Sequence, residues 1–192
     1  MIERGNLRLL NPYRVVGVEH AEKGISRTLR FLHAGAPAHE VTVSNTGAAL
    51  INDIPIDTNE PSKLKGTRVG VELSREELEG LTRLVKNNTF PKGEYEYFWS
   101  IIIDYARGEG LTLVPIDNMR MKLFYQKAMA KAEGLRQEGK TAVAEALEKK
   151  AFEAFVPRRE KWMAKRIAQE KLKVSLTGRE HPEEVVRRLK EK

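Results

Sequence analysis

The sequence has no cysteine, which removes disulfides, zinc-thiolate centres and cysteine nucleophiles at once. Any metal site must therefore draw on His, Asp, Glu and water. Long apolar runs are also missing: the longest, around Ile101 to Ile103, falls far short of a membrane span. The opening Met1-Ile2-Glu3-Arg4-Gly5 carries no apolar signal region, so a cytoplasmic location is expected. There is no Gly-x-Gly-x-x-Gly and no phosphate loop ending in Gly-Lys-Ser/Thr, which argues against a nucleotide enzyme. A nucleophile elbow is absent, and Ser44 and Ser100 lack the surroundings of a serine triad.

What remains suits one globular domain: 192 residues, 41% of them hydrophobic and 32% charged. A net charge of +7 permits contact with nucleic acid. However, the surplus lies in stretches of mixed sign, such as Lys149-Lys150 near Glu145 and Glu148. That is the pattern of a solvated helix face, so nucleic acid is not an expected partner.

One short pattern occurs twice. Gly17-Val18-Glu19-His20 follows the apolar run beginning at Arg14, and Gly178-Arg179-Glu180-His181 follows Lys173 to Thr177. Both runs read as buried strands, and both are followed by helical spacing. After His20 the helix is Lys23 to His33, ended by Gly35 and Pro37; after His181 it opens at Pro182.

Between the two copies, Glu40 to Ile56 reads as a β-hairpin excursion and Asp57 to Lys65 as a loop. His33 and His39 lie near this excursion and read as surface or packing residues. Thr67 to Leu73 is a strand carrying Glu72, an acid that is either paired or metal-bound, or else points outward at the sheet end. Ser74-Arg75-Glu76-Glu77 is a capping box that starts the next helix. Lys86 to Gly93 is a loop, and Glu94 to Arg107 is a helix with a core-type aromatic stripe, Tyr95, Tyr97, Phe98 and Trp99. Leu111 to Ile116 is a strand ending in Asp117, with Pro115 favouring an edge position or a terminus. Three helices follow, Met119 to Gly134, Thr141 to Phe155 and Pro157 to Leu172, with Pro157 opening the last. Residues 119–156 suit a cap, a homodimerisation arm or both.

Four strands thus end in His20, Glu72, Asp117 and His181, each followed by a helix. That wiring predicts an α/β fold with a mostly parallel sheet between helices. In such sheets ligands bind outside the carboxyl ends of the strands, so the two histidines are expected to face one crevice. His20, His181 and Glu72 with open water positions suit a divalent metal such as Mn, Fe, Co or Zn, which would make its bound water a nucleophile. Glu19 and Glu180 are candidates to orient an imidazole or act as the base. An internal duplication without a metal is the alternative.

The set resembles the TraB/PrgY (pheromone-shutdown) family, and through it the Tiki metalloproteases and the EreA/ChaN-like superfamily. The resemblance rests on both Gly-x-x-His motifs, on Val69-Gly70-Val71-Glu72-Leu73, on Leu113-Val114-Pro115-Ile116-Asp117 and on Arg159-Glu160-Lys161-Trp162-Met163-Ala164, in that order of chain. In the last motif Glu160 stands where the family has Asp or Asn. The resemblance implies a shared α/β fold and, from the Tiki branch, divalent-metal-dependent hydrolysis of a peptide or small-molecule substrate. It makes His20 and His181 metal or catalytic residues, Glu72 a ligand or base, and Arg159 a clamp for substrate or oxyanion; read on its own, Arg159 equally suits an interhelical salt bridge. The other reading of the whole chain is a non-catalytic protein that holds a small ligand or haem-like cofactor in the same crevice.

Overall fold

The computed structural model describes residues 14–20, 22–34 and 62–190. Four strands form one sheet: β1 (Arg14–Val18), β2 (Arg68–Val71), β3 (Thr112–Pro115) and β4 (Val174–Gly178). All three pairings are parallel and the order is β1-β4-β2-β3. Six helices are described: α1 (Glu22–Ala34), α2 (Arg75–Lys86), α3 (Glu94–Gly108), α4 (Met119–Gln137), α5 (Thr141–Gln169) and α6 (Pro182–Lys190). The α/β architecture with a parallel sheet is therefore as expected. The hairpin expected over 40–56, and His39 within its neighbourhood, lie outside the described residues.

Side chains alternate across the sheet and build two apolar layers. On one face Val16, Val18, Val69, Val71 and Leu176 pack against Phe31 and Leu32 of α1, Leu81 and Val85 of α2, and Phe98, Trp99 and Ile102 of α3. On the other, Val15 and Val114 meet Met163, Ala164 and Ile167 of α5 and Val185 and Leu189 of α6. A sheet covered on both faces has to be apolar on both, which explains why the strands read as near-continuous apolar runs.

Local signals set the element ends. Ser74 caps α2 by accepting from the Glu77 amide at 3.2 Å, while Glu77 Oε2 accepts from the Ser74 amide at 2.8 Å, completing the expected capping box. Pro115 closes β3, an edge strand, where its missing N–H costs no ladder bond. Pro157 behaves differently from the expectation. It lies inside α5, one continuous helix of 29 residues, rather than opening a third helix. The proline removes one internal hydrogen bond, but Ala151 on one side and Met163, Ala164 and Ile167 on the other are buried, and this packing carries the helix through.

α4 and α5 form a hairpin, with Gly139 taking the left-handed backbone (φ +76°) that its tight connection requires. Small buried residues, Ala132, Ala144 and Ala151, line its interior, while Leu123, Phe124, Val143 and Phe152 remain 45–59% exposed. No helix among the described residues is long and apolar enough to cross a membrane.

The β2–β4 pairing has no spare room. A Cβ at Gly70 would meet Ser175 Oγ at 2.5 Å and Leu172 Cδ1 at 3.0 Å. Gly70→Ala is expected to lower the unfolding free energy by about 1–3 kcal/mol through overpacking, read as a lower denaturant midpoint; an unchanged midpoint would contradict this packing.

Candidate functional site

The sheet order sets the site. Reading across the carboxyl ends of β1, β4, β2 and β3 gives His20, His181, Glu72 and Asp117. All four expected strand-end residues therefore fall on one edge. His20, Glu72 and His181 line a common open crevice, together with Glu19 and Glu180.

The two histidines are nevertheless not equivalent. In the β1–β4 ladder Gly17 pairs with Thr177 and Val18 with Gly178, so the two Gly-x-Glu-His copies are one residue out of register. A one-residue offset exchanges the faces to which side chains point. Accordingly the His20 ring is held by α3, with ring centroids 5.0 Å from Tyr95, 5.2 Å from Phe98 and 5.3 Å from Trp99. Its Nε2 is buried and has no hydrogen-bond partner among the described residues. Burial holds its imidazole below the ordinary value; Glu72 pulls the other way, and Lys122, Arg159 and His181 add to the lowering.

His181 instead faces α5. Its Nδ1 lies 3.0 Å from Glu160 Oε1, and its Nε2 lies 3.4 Å from Arg159 Nη1 and 3.8 Å from Glu72 Oε1. An ionised Glu160 can only accept, so a neutral ring carries its proton on Nδ1 and turns the lone pair of Nε2 toward Arg159 Nη1. The carboxylate that orients His181 is therefore Glu160, not the neighbouring Glu180, which is exposed.

Arg159 lies between the two strand-end acids. Its Nε donates to Asp117 Oδ1 at 2.8 Å, and Nη2 donates both to Asp117 Oδ2 and, at 2.6 Å, to Glu72 Oε1. Three of the five guanidinium donors are thus committed to carboxylates, leaving Nη1 on the His181 side. Glu72 and Asp117 are 3% and 7% exposed. Both gain a backbone donor as well: the Gly178 amide donates to Glu72 Oε2, and the Asn118 amide to Asp117 Oδ1 at 2.7 Å. Burial works against the charge on Arg159, but the Asp117 hydrogen bond and the charges of Glu72 and Asp117 outweigh it and push its pKa up.

Gly178 explains the glycine of the second motif. A Cβ there would stand 3.0 Å from Glu72 Oε2, where the carboxylate now reaches the backbone amide. A second set of contacts fixes Glu72 from behind. Tyr95 donates to the Glu72 carbonyl at 3.0 Å and accepts from Lys122 Nζ at 2.9 Å; Lys122 also pairs with Glu77. Burial first, then the charges of Glu77, Glu72 and Asp117, push the Tyr95 hydroxyl well above its ordinary range, so it stays a donor. Tyr95 was legible only as part of a core stripe, and Lys122 carried no sequence signal.

Among the described residues no group of three or more His, Asp and Glu is placed to hold a metal ion. The guanidinium of Arg159 bridges Glu72 and Asp117, and the His20 ring packs against the α3 aromatics. His33 is a packing residue, buried and 3.0 Å from the Tyr105 hydroxyl through Nδ1. No family model, curated protein or solved structure gives a match to the chain.

Two outcomes follow. Arg159→Ala leaves Glu72 and Asp117 buried without their cation and should cost about 3–5 kcal/mol. By contrast Arg187→Ala, which removes a 56%-exposed side chain from an ion pair with Glu184, should stay within about 0.5 kcal/mol. Equal effects in urea unfolding would contradict the account. The second concerns pH. The folded-state pKa of His20 lies below the ordinary 6.5, so the unfolded chain binds a proton that the folded one refuses. That contribution is complete above 6.5 and is lost as pH falls below it, at up to about 1.4 kcal/mol per pH unit. His20→Gln should flatten the fall in stability between neutral and mildly acidic pH; identical pH profiles would remove His20 as its source.

Proposed function

We propose that the chain hydrolyses an acyl bond, an amide of a peptide or an ester, with His181 as general base and Arg159 as the oxyanion clamp. The observation that carries this reading is the alignment of Glu160, His181 and Arg159, with His181 at the wall of an open crevice. Glu160 fixes the Nδ1–H tautomer, as the carboxylate does in a triad, and this leaves Nε2 an acceptor, now 3.4 Å from Arg159 Nη1, that takes a proton when a water displaces that contact. A water at Nε2 loses its proton to the ring and its oxygen bonds to the substrate carbonyl carbon. The carbonyl oxygen becomes an oxyanion beside Nη1, whose two donors are not committed to carboxylates. When the C–N or C–O bond breaks, the imidazolium returns its proton to the leaving atom.

The reading draws support from the TraB/PrgY resemblance, since the motif residues Glu72, Asp117, Arg159 and His181 are the ones in contact. It departs from the metal-dependent form of that expectation. Glu72 and His181 would both have to leave their present partners to ligate Mn, Co, Fe or Zn, and no step here passes through a metal. Glu72 acts by holding Arg159, and Glu19 and Glu180 border the crevice without a part in the proton path. Ligand binding without turnover is the second reading. It is favoured by one observation: Arg159 is so fully engaged by carboxylates that it serves equally as a rigid anchor for a bound carbonyl or carboxylate.

Acyl-peptide and ester substrates decide between them. Glu160→Gln should lower kcat by about 10²-fold or more and His181→Ala by about 10³-fold, with KM changed little. Ligand binding with no turnover by the wild type, or turnover untouched in both variants, would overturn the hydrolase reading.

A further inference from the structure

A second hollow adjoins the crevice and shares His181 and Glu180 with it. Its polar end is Lys122, Arg159, Glu180 and His181; its walls are Tyr125 of α4 and Phe152, Phe155 and Val156 of α5. The spacing is that of one helix stripe. Residues 152, 155, 156 and 159 follow one another on a single face of α5, and 122 and 125 do so on α4. One face of the hairpin therefore runs from exposed aromatics directly to the guanidinium that holds the site together.

These aromatics are not core. Phe152 is 50% exposed, and Phe155 lies parallel to the 59%-exposed Phe124, with ring centroids 6.0 Å apart and planes 3° from parallel. Leaving several large rings in water forgoes burial energy that this position on a packed hairpin could otherwise supply. The two cations that line the hollow are already paired, Lys122 with Glu77 and Arg159 with Glu72 and Asp117, and Glu180 adds an acid, so charge does not select the guest and the apolar walls do. A flat, uncharged apolar group can stack on the rings.

We infer that this hollow binds the flat apolar group of the site's ligand. The inference rests on the hydrolase reading for one step only: there, the group is the aromatic or large aliphatic side chain next to the bond broken at His181. A peptide presenting such a residue would place its carbonyl at Arg159 Nη1 and its side chain between Phe152, Phe155 and Tyr125. The hairpin expected to serve as a cap thus supplies substrate selectivity.

The binding test uses 3-phenylpropanol and 1-propanol, which contain no hydrolysable bond, titrated into the full chain and followed by NMR. 3-Phenylpropanol should bind about tenfold more tightly or better, the effect of burying a ring. Val156→Trp, which fills the hollow, should abolish that preference. Phe152→Ser, at a half-exposed position that tolerates a polar group, should weaken it in a protein whose melting is unchanged. Equal binding of the two alcohols, or a preference that survives Val156→Trp in folded protein, overturns the inference. A kinetic test separates it from the hydrolase reading. With N-acetyl-phenylalanine and N-acetyl-alanine methyl esters, Val156→Trp should lower kcat/KM for the first about tenfold and leave the second nearly unchanged. Selective binding without ester turnover would sink the hydrolase reading and leave the apolar site standing. Turnover with no selectivity for either ester would do the reverse.

Discussion

The guanidinium of Arg159 sits between two buried carboxylates, and the carboxyl edge of the sheet depends on it. Glu72 directly follows β2 and Asp117 follows β3, so the two acids stand side by side in a nearly dry setting. Unpaired, they would be costly to bury; a planar fork that meets one at two points and the other at one offsets that cost. The same contacts fix α5 over the sheet, because Arg159 comes from the middle of that helix. One turn face then carries both Arg159 to the strand ends and Glu160 to His181. The orientation of the imidazole is a consequence of how the acids are neutralised.

This arrangement also separates the roles of the two similar motifs. The ladder places β4 beside β1 but offsets the motifs by one residue. His20 becomes part of the aromatic layer, where burial lowers the pKa of its ring. His181 becomes the imidazole of a carboxylate–imidazole pair, itself buried but lining an open crevice. A repeated sequence pattern has produced one packing residue and one residue oriented by a carboxylate, and the one-residue register offset accompanies the difference.

Much of the fold is legible because its signals are local. Continuous apolar runs at Arg14–Val18 and Val174–Gly178, the Ser74–Glu77 capping box and Pro115 at a strand end each act within a few residues. The strand-end positions of His20, Glu72, Asp117 and His181 follow from counting along those runs. What could not be read is set by long-range geometry. Nothing near Val174 says that β4 inserts between β1 and β2, yet that insertion brings His181 to Glu72. Pro157 looked like a helix start because a proline is tolerated there at no cost; burial on both sides of it decided otherwise. Glu160 differed from the expected family residue by one methylene, and only the helix phase shows that it reaches the imidazole. Glu180, adjacent in sequence, points to solvent.

The central claim is that Arg159 is the cation of this site. Elemental analysis of protein purified without chelator, paired with melting curves in the presence and absence of a strong chelator, tests it most directly. The account predicts far less than one equivalent of Mn, Fe, Co or Zn per chain, and the same melting temperature with and without chelator. A stoichiometric divalent metal whose removal lowers the melting temperature, and which is lost in His181→Ala, would contradict it.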